Sequence, residues 1–151
     1  MRSLILCFSL LLSLSSHAQL SMENARVRAM PPGQPNTAAF MTIKNSGKHD
    51  IRLTRVSSSV SKKSEFHKHE KNEQGVLSMS QVEFIDIKAG GSFVFKSGDH
   101  HIMMMGLKRM LKPGEITQLQ LFDNNGQDYL FDVPVVSIMQ AQKMEHGHHH
   151  H

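Results

Sequence analysis

The sequence has almost no cysteine and few aromatic residues other than phenylalanine. It contains one Cys, one Tyr and no Trp in 151 residues. A single cysteine cannot build a disulfide framework, a thiolate zinc site or a CxxC redox pair. The same chain carries 11 Met and 11 His. Its soft metal-binding groups are therefore thioethers and imidazoles, and this imbalance needs a functional explanation.

Long hydrophobic runs are also missing, apart from one at the N-terminus. Arg2 precedes the apolar run Leu4–Leu14, and Ser16-His17-Ala18 follows as a small-x-small cleavage pattern. A membrane span needs about 20 apolar residues, so no stable membrane insertion is expected. We predict a signal peptide over residues 1–18 and export to a periplasm. A lipid anchor would require a cysteine at the end of the run, whereas Cys7 lies inside it and leaves with the signal.

The positive charge of the chain does not indicate a nucleic-acid partner. The formal net charge is +4 and the pI is 9.4. The basic residues are scattered except for Lys62-Lys63 and Lys108-Arg109, and no basic stripe with interleaved aromatics is present. The charge is interpreted as a solubility property.

Short alternating apolar runs separated by turn residues predict one all-β domain, an antiparallel sandwich or barrel, without a second domain. Ten strands are expected, at 23–30, 37–44, 51–56, 64–68, 76–80, 82–87, 92–96, 101–104, 116–122 and 129–135. Asn125-Gly126 predicts a two-residue hairpin turn. Met41, Met110 and one of Met104 and Met105 are expected in the core, with Met30 packed against it.

The C-terminal segment has a different composition from the domain. Residues 139–151 show no core pattern, so we predict a flexible tail after a domain at 19–138. The His run at its end is interpreted either as an engineered tag or as a native metal-binding tail. In the second reading the tail captures copper, as Cu(II), through Met144, His146, His148, His149, His150 and His151.

Two dense groups of His and Met occur inside the predicted domain. They are Phe66-His67-Lys68-His69 and Asp99-His100-His101-Ile102-Met103-Met104-Met105. Side chains two apart on a strand share a face, so His101 and Met103 form a two-ligand edge, as do His67 and His69. Met79 lies between the groups at a polar-flanked position. Two histidines and two methionines from neighbouring strands would make a compact N2S2 site.

The ligand types favour Cu(I). Thioether sulfur is soft and neutral, a poor ligand for Zn²⁺, Mg²⁺ or Ca²⁺ and a good one for Cu(I). A blue-copper centre requires a cysteine thiolate, which the mature chain lacks. Catalytic zinc sites use three His or carboxylate ligands, and the sequence shows no such pattern.

The spacing of these residues resembles a known family. His67-Lys68, ten residues, Met79, twenty-one residues and His101-Ile102-Met103 match the copper motif of the periplasmic PCu(A)C copper chaperones. Similar flanks include Met30-Pro31-Pro32-Gly33 and Ile87-Lys88-Ala89-Gly90-Gly91, and the resemblance covers about residues 20–135. Many members have Met where this chain has Lys68, and we expect that difference to leave the site intact.

The resemblance implies both a fold and a function. It implies a cupredoxin-like antiparallel β-sandwich of Greek-key type that binds Cu(I) through His67, Met79, His101 and Met103. It also implies delivery of copper to the CuA centre of cytochrome c oxidase, beside Sco-type proteins. We expect a monomeric carrier with no enzymatic activity.

Several alternatives stay open at this point. A copper sequestration or resistance protein without an oxidase acceptor would have the same sequence features. A copper-dependent thiol or disulfide reductase is disfavoured by the missing cysteine, and an adhesion sandwich would bind no stoichiometric Cu(I). His69 and His100 each neighbour an expected ligand and could join the coordination sphere or bind a second metal.

Overall fold

A computed structural model of the chain describes residues 19–146, so the predicted signal peptide and the last five residues lie outside the described part. Among the described residues there are ten strands and one helix. The all-β class is confirmed, and the observed strands follow the predicted ones closely. They are β1 Leu20–Arg28, β2 Thr37–Asn45, β3 Ile51–Ser58, β4 Ser61–Lys71, β5 Leu77–Gln81, β6 Ile85–Ile87, β7 Ser92–Phe95, β8 His101–Leu107, β9 Ile116–Asp123 and β10 Asp128–Val136, followed by α1 Ile138–His146.

The strands form one continuous sheet that closes on itself. Its order is β5-β4-β8-β2-β1-β10-β9-β3-β6, β7 pairs with β2, and an additional β3–β4 pairing closes the ring. The expected sandwich of two sheets is thus corrected in the described residues to a barrel-like sheet. The first half of β4 lies between β3 and β8, whereas its second half pairs with β5 on the side opposite to β8. Beyond His67, β4 pairs only with β5, so this end of the β4–β5 hairpin lies outside the closed ring of strands.

The core fills the barrel through strict alternation along the strands. On β8, Ile102 and Met104 are fully buried inside, and on β2 the inward side chains are Ala39, Met41 and Ile43. The core positions of Met41 and Met104 are confirmed. Met110 was expected in the core as well, but it is 50% exposed, because it lies in the loop after β8 and not on a strand.

A bulge in β1 exchanges the inward and outward positions of that strand. The pairing of β1 with β2 shifts between Glu23 and Arg26, and Asn24 adopts a positive φ of 51° there. Asn tolerates this left-handed conformation better than most residues, and an extra residue reverses the alternation. Val27 therefore points into the core opposite Ala39. Arg26 pairs with Phe40 on the outer face of the sheet.

The turn between β9 and β10 is one residue longer than predicted. The Asp123 N–H donates to the Gln127 carbonyl at 2.9 Å, which leaves the three residues 124–126 as the loop. Gly126 has a φ of 82°, the left-handed position that such three-residue loops require. The Asp123 carboxylate accepts the backbone N–H groups of Asn125 and Gln127, and this explains why the longer turn is favoured.

The segment predicted as a flexible tail from residue 139 begins with α1, which extends to His146. The Ser137 hydroxyl accepts the Gln140 N–H at 3.2 Å, and the Gln140 side chain accepts the Ser137 N–H at 3.1 Å. This reciprocal pair is a capping box, and Ala141 is fully buried. The sequence pattern Ser-x-x-Gln signalled this helix start. No helix within residues 19–146 is long and apolar enough to span a bilayer.

Candidate metal centre

The expected ligands of β8 lie on the outer face of the sheet, opposite to the core. His101 and Met103 alternate with the buried Ile102 and Met104. His101 pairs with His67 of β4, and Met103 pairs with Glu65 of β4 and Ala38 of β2. Directly paired residues point to the same side of a sheet. The outer face of β8 therefore carries an imidazole and a thioether beside the outer face of β4.

The β4–β5 hairpin adds further donors to this face. His69 pairs directly with Met79, and His67 pairs with Gln81. The register places His67, His69 and Met79 on the same side as His101 and Met103. Lys68 points to the other face and forms an ion pair with Glu70, so it does not compete for space at this site.

His101 is held in one tautomer by the backbone. Its Nδ1 lies 3.0 Å from the Asp99 carbonyl oxygen, which can only accept, so Nδ1 carries the proton. Its Nε2 is then unprotonated and faces the Met79 Sδ at 3.2 Å. In this tautomer of the neutral ring no proton lies between the two atoms, so their lone pairs face each other.

Burial keeps His101 neutral. The residue is 3% exposed, and desolvation lowers the pKa of its imidazole below the usual 6.5; the nearby His69, His67 and His100 act in the same direction, whereas the hydrogen bond to the Asp99 carbonyl opposes it. A neutral imidazole with a bare Nε2 is the form that binds a metal ion.

His69, Met79, His101 and Met103 line one cavity of about 230 Å³, together with Met30, Arg28 and Phe40 among others. We call this cavity the chamber. The His69 ring lies 4.8 Å from the His101 ring, centroid to centroid, and its Nδ1 is buried without a hydrogen-bond partner. Met79 is 45% exposed, so the chamber opens to the surface at β5.

His67 lies beside the chamber but does not line it. Its Nε2 is 3.0 Å from the Glu65 carboxylate, and its ring centroid is 6.1 Å from that of His101. The hydrogen bond with His67, followed by that with Lys63, holds the pKa of Glu65 below its usual value. An ionised Glu65 accepts the Nε2 proton, so the free nitrogen of a neutral His67 is Nδ1, which is buried without a partner.

The floor of the chamber was not predicted from the sequence. Phe40 is 3% exposed although it points away from the core, because the guanidinium groups of Arg26 and Arg28 lie 5.2 and 5.1 Å from its ring centroid. The His101 ring also packs near Phe40, with the two ring centroids 6.4 Å apart. This apolar floor restricts water around the unprotonated nitrogen of His101.

His100 and Met144, two other candidate ligands, are not among the residues that line the chamber. His100 contacts Asp99 and the edge of the Phe93 ring. Met144 is 38% exposed on α1, and His146 ends that helix. His148, His149, His150 and His151 lie outside the described residues. Within residues 19–146, no group of three or more His, Cys, Asp or Glu is placed to hold a metal ion.

Comparison with known proteins identifies the family of this chain. Residues 20–135 match the family model described as "Putative lipoprotein LpqE-like". The chain belongs to the LpqE-like family. A search of curated proteins finds no match.

Solved structures with this fold are PCuAC domains, which confirms the resemblance predicted from the sequence. The copper-bound PCuAC domain from PmoF2 has a TM-score of 0.65 and 18% identity, over 80% of this chain and 94% of that one. Apo-DR1885 from Deinococcus radiodurans has a TM-score of 0.63 and 26% identity, over 83% of this chain and 84% of that one. Its Cu(I) form has a TM-score of 0.60 and 28% identity, over 76% of each chain.

The tautomer and pKa of His101 are directly measurable. We expect imidazole ¹H–¹⁵N spectra of the apo protein to show the proton on Nδ1 and a pKa below 6.5. Because the native state then binds fewer protons than the unfolded state, the free energy of unfolding should fall as the pH drops from about 6.5 through the native pKa. His101→Asn retains a donor for the Asp99 carbonyl and should lose that part of the pH dependence. A proton on Nε2 would contradict the assignment.

Proposed function

We propose that this protein is an exported Cu(I) carrier. Copper, its cargo, binds in the chamber through Met79, His101 and Met103 with a histidine of β4, and the ion is then delivered to a cuproenzyme. The observation that carries the proposal is the 3.2 Å approach of the unprotonated His101 Nε2 to the Met79 Sδ. The relatives support it, since one is a copper-bound PCuAC domain and another is the Cu(I) form of DR1885.

The chemistry of the donor set selects the oxidation state. Two neutral thioethers and neutral imidazoles add no negative charge to a bound ion, and they favour the soft monovalent Cu(I) over Zn²⁺ or Cu(II). The tail histidines, as imidazole-rich ligands, suit Cu(II) and would raise the copper concentration near the chamber.

The position of the chamber suits transfer to a partner. Met79 is the most exposed chamber ligand and lies on the short strand β5, which pairs with β4 alone. An incoming acceptor ligand can replace the Met79 thioether first, while His101 and Met103 of β8 still hold the ion. Export is supported by the sequence of residues 1–18 and by the lipoprotein description of the family. We propose a periplasmic monomer whose acceptor is a CuA domain or a Sco-type protein.

Of the two β4 histidines, the geometry favours His69 as the copper ligand, whereas the family resemblance implies His67. His69 lines the chamber opposite Met79, while the protonated nitrogen of His67 is engaged by Glu65. We therefore propose that His69 coordinates the ion and that His67 supports the adjacent His101 ring.

Thioether removal should weaken Cu(I) binding without unfolding the domain. We expect Met103→Leu and Met79→Leu each to raise the Kd by about tenfold or more, equivalent to about 1.4 kcal/mol, because leucine keeps the volume but has no donor atom. Anaerobic competition against a colorimetric Cu(I) chelator measures this. Met105→Leu, the same change further along β8, is the matched control. Unchanged affinity in both chamber variants would refute the site.

The two β4 histidines can be separated by identical substitutions. We expect His69→Gln to raise the Cu(I) Kd by about tenfold or more, whereas His67→Gln should change it by less than about threefold. His100→Gln, which alters a histidine outside the chamber, is the control. The opposite ranking would restore the ligand set that the family resemblance implies.

Delivery distinguishes a chaperone from a sequestration protein. When the Cu(I)-loaded protein is mixed anaerobically with an apo CuA domain, we expect copper to appear on the acceptor faster than free-ion dissociation allows, because ligands exchange while both proteins are in contact. Metal analysis of the separated proteins gives the distribution. Retention of copper on this chain would favour sequestration.

A further inference from the structure

A second group of methionines lies outside the chamber, at the end of the barrel next to α1. Met30, Met110 and Met139 line one groove of about 300 Å³. Met110 and Met139 are 50% and 80% exposed, and neither belongs to the core cluster. Exposure of that degree removes the usual explanation for a methionine, which is to fill a gap in a core.

Three separate chain segments bring these residues together, and each segment is held by defined contacts. Met30 follows β1, where the Ala29 N–H donates to the Val136 carbonyl at 2.7 Å. Met110 lies in the loop after β8, which Arg109 closes through an ion pair with Glu115. Met139 is in the first turn of α1, fixed by the capping box at Ser137.

The groove offers thioethers with little competing chemistry. Its other lining residues are apolar except for Ser137, which carries a hydroxyl, and Lys112, which carries an ammonium group. No carboxylate, imidazole or thiol lines the groove. Neutral sulfur donors bind soft monovalent ions well and bind Zn²⁺, Mg²⁺ and Ca²⁺ poorly. The Lys112 ammonium adds repulsion that a dication would feel more strongly than Cu(I).

Met30 connects this groove to the chamber. It lines the chamber together with Met79, His101 and Met103, and it also lines an adjoining cavity that it shares with Met110. One thioether therefore borders both regions. Methionines therefore line all three regions: the groove with the exposed Met139, the adjoining cavity, and the chamber with the ligands of β8.

We propose that Met30, Met110 and Met139 form a second Cu(I) site, made of thioethers alone, from which the ion reaches the chamber by way of Met30. Binding at the groove is independent of the proposed function, whereas its use as a loading site depends on it. Because the methionine thioether carries no proton to lose, binding here does not compete with protons.

Methionine-methyl NMR of the full chain tests the site. The protein is labelled with [methyl-¹³C]methionine and titrated with Ag(I), a redox-inert monovalent soft ion, with each signal assigned by a single Met→Leu substitution. We expect the methyl signals of Met30, Met110 and Met139 to shift together, in addition to those of Met79 and Met103. Silver bound by the tail histidines leaves these signals unmoved.

Variants separate this proposal from the main site. In Met139→Leu, the Ag(I) concentration that half-shifts the Met110 methyl signal should rise by about tenfold or more, while the signals of Met79 and Met103 respond as before. Met22→Leu, a partly buried methionine on β1, is the matched control. The groove site is refuted if Met110 and Met139 stay unmoved while Met79 and Met103 shift. The reverse result would support the groove and refute the chamber.

Discussion

The register of β8 against β4 is the constraint on which the site depends. His101 lies opposite His67, and Met103 lies opposite Glu65, so His101, Met103 and His67 point away from the barrel interior. A slip of one residue would exchange inside and outside along β8. It would turn His101 and Met103 into the barrel interior and turn Ile102 and Met104, which are fully buried in the fold, to the outer face. The hydrophobic core thus specifies the metal site, because the two sets of side chains alternate on the same strand.

The second requirement is a neutral, correctly oriented imidazole. The carbonyl of Asp99 accepts the His101 Nδ1 proton and also the backbone N–H of His69, so one backbone group positions both histidines nearest Met79. Burial over Phe40 keeps His101 uncharged. Thioethers and imidazoles alone form this soft, neutral donor set. Residues 19–146 contain no cysteine, so no thiol contributes to it.

The sequence predicted what depends on local alternation, and missed what depends on long-range pairing. His101 and Met103 share a face because they are two residues apart, and their position was predictable. His67 and His69 share a face for the same reason, so alternation alone does not separate them. The family resemblance implies His67, whereas the pairing of His69 with Met79 favours the proposed His69. Arg26 and Phe40 meet because of the bulge at Asn24, which no periodicity reveals. The spacing of Ser137 and Gln140 is a capping-box pattern that predicts a helix start, but the polar composition of the following segment favoured a flexible tail.

Copper K-edge X-ray absorption of the full chain, loaded anaerobically with one equivalent of Cu(I), tests the central claim most directly. A chamber formed by Met79, Met103, His101 and a β4 histidine predicts sulfur and imidazole scattering from the same ion, and loss of the sulfur contribution in Met79→Leu/Met103→Leu. A spectrum of nitrogen and oxygen scatterers alone, unchanged in that variant, would place the copper on the tail and contradict the account.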